Sequence, residues 1–199
     1  MLKTIAIAAA LAAATMAQAD TYAIDPTHTF VHFEIPHYGT STSRGRFDKK
    51  DGLVQFDRAA RTGRAEITID TASIDTGTDS FDNTLRGKDF FDAGQFPTAR
   101  FVADRFVFDG DKVAEVAGTL TLLGKTLPVT LRASNFNCYT SPVLRREVCG
   151  GDFDATIARS QWGMDWGLKF GFADQVRLLV QVEAIKQQPA SGTAAARGQ

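Results

Sequence analysis

Apolar and polar residues alternate with a period of two along most of this chain, and this alternation constrains the fold more than any other feature. Successive side chains of an extended strand point to opposite faces, so the pattern is typical of strands with one buried face. Residues 64–70 show it most clearly, because Ala65, Ile67 and Ile69 are separated by charged or hydroxyl side chains. The sequence therefore predicts an all-β protein.

The alternation predicts about eight strands, with turn residues between them. Clear strand patterns occupy residues 28–35, 64–70, 99–108, 116–122, 127–131, 153–157 and 176–182, and weaker ones lie around 47 and at 53–56. The phase slips near Arg105, which indicates a β-bulge. Gly124 and Lys125 predict a tight turn, and hence a hairpin between the strands on either side.

One short helix interrupts the strands. Asp79 and Ser80 can cap a helix in which Phe81 and Leu85 lie one turn apart, and Gly87 ends it. Antiparallel strands with one helix fit either a β-sandwich or a closed eight-stranded barrel, and such a barrel can enclose one small ligand. Periodicity alone does not choose between the two.

Both chain ends differ from the region of strands. Lys3, the apolar residues 5–14 and the small-x-small triplet at 17–19 are typical of a secretory signal peptide that is cleaved after Ala19. A membrane anchor is less favoured, because the apolar run is shorter than the roughly 20 residues that a bilayer span needs. We expect a signal peptide at 1–19 and one exported domain at 20–185. Residues 186–199 are rich in Gln, Ala, Ser and Gly and are expected to be a disordered tail.

The charges indicate no particular partner. The chain has 22 Lys and Arg against 23 Asp and Glu, and no block of like charge. Nucleic acid is therefore not an expected partner, and neither is an anionic membrane surface. We expect no integral membrane segment, and a homodimer is left open.

Cys138 and Cys149 are the two cysteines. In an exported protein a disulfide between them is expected. It would close a loop of about 12 residues and contribute roughly 3 kcal/mol in the chain-entropy model. A redox or metal pair is the alternative, which the lack of a Cys-x-x-Cys spacing disfavours.

The chain has no recognised catalytic or metal-binding motif. It lacks a nucleophile elbow, a Gly-rich phosphate loop and a His-Glu-x-x-His helix. His28 and His32 would lie about 13 Å apart on one strand, which is too far for one metal ion. Asp25, His28 and a hydroxyl can be imagined as a hydrolytic set, but we expect His28 to fix the turn after Pro26. The protein is predicted not to be an enzyme and to need no metal or cofactor.

Several short motifs, in the same order, resemble the YceI-like polyisoprenoid-binding proteins. They are YAIDPTHT at 22–29, HYG at 37–39, RGRF at 44–47, LRGKDFFD at 85–92, FPTARF at 96–101, GTLTLLGKT at 118–126 and the region 153–166, in which Arg159 precedes WGM. The resemblance covers residues 22–184. It implies a periplasmic, lipocalin-like, eight-stranded antiparallel barrel that holds an isoprenoid lipid non-covalently.

The resemblance also implies which residues bind the lipid tail. A hydrocarbon tail binds by removal of apolar area from water, so its wall should consist of inward aromatic and branched side chains. Alternation alone favours an ordinary packed core, and only the resemblance favours a lined tunnel, to which the 15 phenylalanines add slight support. The expected lipid-binding residues are Val31, Phe33, Ile35, Ile67, Ile69, Phe81, Leu85, Phe101, Leu120, Leu122, Val129, Leu131, Phe153, Ile157, Leu178 and Val180.

The head group is expected at a barrel mouth, where the helix acts either as a lid or as a permanent plug. Arg44, Arg86 and Lys88 suit a lipid phosphate, although solvated surface charge is the simpler interpretation of all three. A quinone head would instead need neutral donors such as Tyr38 or Trp162. The alternatives are a scavenger of other amphiphiles, such as fatty amides or hydrophobic toxic compounds, and an enzyme that modifies a lipid.

Overall fold

The computed structural model describes residues 19–188. Residues 1–18 of the predicted signal peptide and residues 189–199 of the predicted tail lie outside the described residues. At the start of the predicted tail, Lys186 belongs to the last strand, and the Gln187 amide donates to the Thr21 carbonyl at 2.7 Å. Within 19–188, no helix has the length and apolar character that crossing a membrane requires.

Eleven antiparallel strands and one α-helix make up most of the described chain. The strands are β1 (Asp20–Ile24), β2 (Phe30–His37), β3 (Ser41–Phe47), β4 (Lys50–Asp57), β5 (Thr62–Asp70), β6 (Ile74–Asp75), β7 (Thr98–Asp109), β8 (Lys112–Leu122), β9 (Lys125–Thr140), β10 (Glu147–Ala158) and β11 (Gln175–Lys186). The helix α1 spans Asp79–Arg86, close to its predicted position. Three short 3₁₀ turns occupy Thr71–Ser73, Arg159–Trp162 and Leu168–Phe170.

The sheet closes on itself, because β1 pairs with β4 on one side and with β11 on the other. The ring runs β1, β4, β5, β7, β8, β9, β10 and β11. The other three strands extend the barrel at one end. There β2 pairs with the part of β11 that β1 does not reach, β3 pairs with β2, and β6 pairs with β3. The predicted eight-stranded antiparallel barrel is therefore confirmed, and the sandwich is excluded.

Two predicted local features are also confirmed. The pairing of β7 with β8 shifts between Ala103 and Arg105, where the phase of the sequence slips. The β8–β9 hairpin turns through Leu123 and Gly124, both at positive φ (51° and 73°), and Leu122 pairs with Lys125. Positive φ at both central residues is typical of the tight turns that match strand twist. The turn thus lies one residue earlier than Gly124-Lys125.

Strand β9 is much longer than the sequence predicts. It runs to Thr140, whereas the alternation ends at 131, because the pairing of β9 with β10 shifts beside Asp152 and Phe153 and changes the phase. Beyond the shift, Phe136 is buried at the end of the barrel that lies away from α1. There it packs against Phe56, with ring centroids 5.8 Å apart.

The segment between β10 and β11 folds back across the α1 end of the barrel. Its anchor is Arg159, only 4% exposed, whose guanidinium donates hydrogen bonds to the carbonyls of Ala173, Met164 and Trp166 at 2.9, 2.8 and 3.0 Å. Burial lowers the pKa of Arg159. Ser160 also donates to Asp174 through its amide and hydroxyl. A segment without periodicity is thus fixed by one buried cation.

The predicted disulfide is confirmed. Cys138 and Cys149 are directly paired across β9 and β10, with Cα atoms 4.1 Å apart, and their sulfurs are bonded. Neither sulfur is therefore a free thiolate for a redox or metal pair.

Replacement of Arg159 by Met should lower the free energy of unfolding by roughly 2–5 kcal/mol, because one buried and two partly buried carbonyls lose their donor. Arg177→Met is the matched control, since its side chain is 52% exposed and its ion pairs are 3.7 and 3.8 Å long. The control should cost less than about 1 kcal/mol. Urea unfolding measures both values, and equal losses would show that Arg159 does not anchor the segment.

The Cys138→Ala/Cys149→Ala double variant should lose roughly 3 kcal/mol of unfolding free energy, because the disulfide restricts the unfolded chain. Urea unfolding with and without reductant measures this loss. Reductant should destabilise the parent protein and leave the double variant unchanged. An unaltered midpoint in the variant would contradict the expected stabilisation.

Candidate functional site

The barrel interior contains two apolar cavities. The major cavity, of about 350 Å³, lies at the end of the barrel bordered by α1 and by residues 159–174, and it extends to Val31. The minor cavity, of about 100 Å³, occupies the opposite half and is lined by residues such as Tyr22, Phe56 and Phe136. The barrel is therefore not packed solid.

Most of the predicted lipid-binding residues line one of these cavities. The major cavity is bordered by Val31, Phe33, Ile35, Ile69, Phe81, Leu85, Leu120, Leu122, Ile157 and Leu178. The minor cavity is bordered by Val31, Ile67, Phe101, Leu131, Phe153 and Val180. Val129 lines neither cavity and is simply buried in the wall. The alternation thus identified the inward face, but not the division of the interior into two.

Aromatic and methionine side chains complete the major cavity in ways that alternation did not predict. They include Phe90 and Phe91 before β7, and Met164, Trp166 and Phe172 between β10 and β11. These segments are irregular, so no periodicity marks their inward residues. For Phe90, Phe91, Met164 and Trp166 the one signal in the sequence was their place within the motifs that resemble the YceI-like proteins, and Phe172 lies outside those motifs.

Few polar groups face the cavities, and the buried ones form their hydrogen bonds within the protein. In the major cavity, Arg159 bonds three backbone carbonyls. In the minor cavity, the Thr29 hydroxyl donates to the Glu183 carbonyl, and the Tyr22 hydroxyl donates to Glu147 at 3.0 Å. Burial, followed by the effect of Glu147, raises the pKa of Tyr22, so this hydroxyl stays neutral. Both cavities therefore present an apolar surface.

The mouth of the major cavity is rimmed by aromatic rings. Phe172 contacts the rings of His37, Tyr38 and Trp166, with centroids 5.9, 5.0 and 5.4 Å apart. Tyr38 is 53% exposed and Trp166 is 42% exposed. An apolar opening with half-exposed rings thus connects the cavity to its surroundings.

Helix α1 forms one side of this mouth through Phe81, Thr84 and Leu85. It is tied to the preceding chain by Asp82, whose carboxylate accepts hydrogen bonds from the Thr76 amide and hydroxyl at 2.8 and 2.6 Å. The helix borders the cavity and leaves its volume unfilled.

The residues predicted for the head group are not brought together. Arg44 pairs with Glu34 at 2.7 Å, and Lys88 is exposed; neither lines a cavity. Arg86 donates to the carbonyls of Ala72 and Ile74, both at 2.8 Å, which fixes α1 to the chain before it. This geometry favours structural or surface roles for the three cations.

Tyr38 and Trp162, the neutral donors predicted for a quinone head, differ in their exposure. Trp162 is 2% exposed, and its ring N–H donates to the Leu120 carbonyl at 3.1 Å, so it is already satisfied inside the wall. This geometry does not support a head-group role for Trp162. Tyr38 is half-exposed and lines neither cavity, but its ring contacts Phe172, which borders the major cavity.

Asp25 and His28 form a turn outside both cavities, as the sequence predicts. The Asp25 carboxylate contacts the His28 ring at 2.8 Å and accepts from the Thr27 amide and hydroxyl at 2.9 and 2.7 Å. Partial burial alone would raise the pKa of Asp25, but the bonds from His28 and Thr27 lower it to about 2. Asp25, Thr27 and His28 therefore fix the link between β1 and β2, and they do not face a cavity as a hydrolytic site would.

Comparison with known proteins agrees with this architecture. Residues 22–184 match the YceI-like domain. A UPF0312 protein from Pseudomonas paraeruginosa is 36% identical over 190 residues, which cover 94% of this chain and 97% of the relative. A UPF0312 protein from Shewanella denitrificans is 32% identical over 188 residues, covering 91% and 95%.

Solved structures show the same fold. Burkholderia cenocepacia BcnA superposes with a TM-score of 0.64 at 27% identity, covering 80% of this chain and 98% of that one. The Campylobacter jejuni YCEI protein gives 0.66 at 25% identity, covering 77% and 91%. A polyisoprenoid binding domain from Saccharophagus degradans is similar in fold alone, with 16% identity, a TM-score of 0.58 and coverage of 83% and 98%. On the family match and these relatives, the chain belongs to the YceI-like family.

Proposed function

We propose that this protein is a periplasmic binding protein that holds a long-chain isoprenoid lipid, such as a prenyl quinone or prenyl phosphate, without transforming it. The observation that carries the proposal is the major cavity. It has about 350 Å³ of space behind an open aromatic mouth, and its wall is almost entirely apolar.

The chemistry of the wall suits a tail that is hydrocarbon along its length. Such a tail gains about 25 cal/mol for each Å² of apolar area that leaves water, and it needs no hydrogen-bonding partner. The buried polar groups of the wall, Arg159 above all, already bond the protein's own backbone. A tail would therefore enter without breaking any of these bonds.

An unfilled apolar cavity also has a cost. Core cavities destabilise proteins by about 24 cal/mol for each Å³ of residual volume, because the wall atoms lack partners. A ligand that fills the major cavity would restore those contacts. Its size is also within the range of ligand pockets, roughly 300–1,000 Å³.

Family membership supports the choice of an isoprenoid. The Saccharophagus degradans structure, which shares the fold, is described as a polyisoprenoid binding domain. The predicted signal peptide supports export to the periplasm.

Binding without catalysis follows from the placement of the reactive groups. His28 and Asp25 bond each other outside the cavities. Within the described residues, the buried polar groups of the cavity walls are already hydrogen-bonded. His37 is exposed at the mouth of the major cavity and packs against the rings of Tyr38 and Phe172. This arrangement favours binding over catalysis.

An apolar wall discriminates poorly between long tails, so fatty amides and other amphiphiles are the alternative cargo. Native mass spectrometry of the full chain purified from a periplasmic extract, followed by organic extraction, identifies the cargo by mass. A prenyl lipid at stoichiometric occupancy is the expected result. A fatty amide in its place would favour the scavenger.

Leu120→Arg should reduce retained lipid at least about tenfold, because it places a charge in an apolar cavity where it lacks a partner. Leu120 is 9% exposed and lines the major cavity. Leu53→Arg is the matched control, since Leu53 is 52% exposed and lines neither cavity. The control should keep full occupancy.

Native mass spectrometry measures occupancy in both variants, and circular dichroism checks that each barrel is folded. A folded Leu120→Arg protein that carries lipid at the parent level would overturn the assignment of the major cavity.

A further inference from the structure

The two cavities are separated by side chains in the middle of the barrel. Val31 borders both of them. On β11, Val180 faces the minor cavity and Leu178 the major one, and on β5 the same division falls between Ile67 and Ile69. The boundary therefore crosses several strands at one level.

Two rows of paired residues lie beside this boundary: Val31 lines both cavities, Leu120 lines the major one, and the other residues line the minor one. In one row, Val31 pairs with Val180 across β2 and β11, and Val180 pairs with Phe153 across β11 and β10. In the other, Ile67 pairs with Phe101 across β5 and β7, and Phe101 pairs with Leu120 across β7 and β8. Phe101 and Phe153 are the largest side chains in the two rows, and both are buried.

The boundary lies deep in the barrel. Along β2, the distance from His37 at the mouth to Val31 is about 20 Å at the usual rise per residue. With a typical strand tilt this is roughly 15 Å along the barrel axis. Phe101 and Phe153 line the minor cavity on its side of this boundary, and the free volume of that cavity is only about 100 Å³.

We infer that Phe101 and Phe153 determine the length of tail that the protein accepts, by separating the major cavity from the minor one. The inference rests on the proposed function and adds a specificity to it. The tail ends against these rings. Their truncation joins the two cavities and admits a longer tail.

The test measures the affinity of the full-length mature protein for geraniol, farnesol, geranylgeraniol and solanesol, by competition with a fluorescent apolar probe. For the parent protein, affinity should rise with chain length up to a limit and then stop rising. In Phe101→Ala the limit should move to a longer prenol. The first prenol above the parent limit should gain at least about tenfold, because each additional isoprene unit buries several carbons.

Phe108→Ala is the matched control. Phe108 stacks on Phe56 with centroids 6.0 Å apart and lines neither cavity, so its loss removes a ring of the same size without joining the cavities. Its length limit should equal that of the parent. Phe101→Leu and Phe153→Leu, which retain an aliphatic side chain, replace Phe101→Ala if circular dichroism shows that it does not fold.

The outcomes are distinguishable. If the parent protein binds no prenol of any length, the proposed function fails and the inference fails with it. If the parent binds prenols with no limit, or if folded variants at 101 and 153 keep the parent limit, the inference is wrong while the proposed function stands.

Discussion

Pairing of β1 with both β4 and β11 is the constraint on which the rest of this structure depends. It joins the two ends of the sheet, so the unpaired edges that an open sheet would expose are absent from the ring. It also fixes the distance between opposite walls. In a sandwich, two sheets approach until their side chains interdigitate. In a closed ring of eight strands the wall separation is set by strand number and tilt, so the interior can retain space that the side chains do not fill.

The chemistry of that space follows from how the protein satisfies its own polar groups. Arg159 is a buried cation beside the major cavity, yet its donors bond the backbone of residues 164–173, which it holds over the barrel end. Trp162 likewise bonds the Leu120 carbonyl. These polar groups could have formed hydrogen bonds with a ligand, but they stabilise the irregular segment between β10 and β11. The remaining surface is apolar and suits a hydrocarbon.

Much of the candidate site could be predicted from sequence because strand periodicity records which side chains face inward. Periodicity therefore predicts that Phe33, Leu120 and Leu178 belong to the inner wall. Prediction failed where periodicity is absent: Trp166 and Phe172 lie in a segment whose shape depends on hydrogen bonds to distant atoms. The sequence also gives no means of knowing that the Trp162 N–H has a partner on β8. Val129 is buried as the alternation predicts, but it is packed within the barrel wall and lines neither cavity.

The amino-acid sequence alone predicts an all-β chain, its inward and outward faces, the bulge near Arg105, the disulfide partners and the family. These properties depend on local spacing or on the presence of two cysteines, so they can be read along the chain. Closure of the sheet, the space that remains inside it and the division of that space into two cavities became visible only in the folded protein. Each of these depends on the distance between side chains on strands far apart in sequence, which no local pattern encodes.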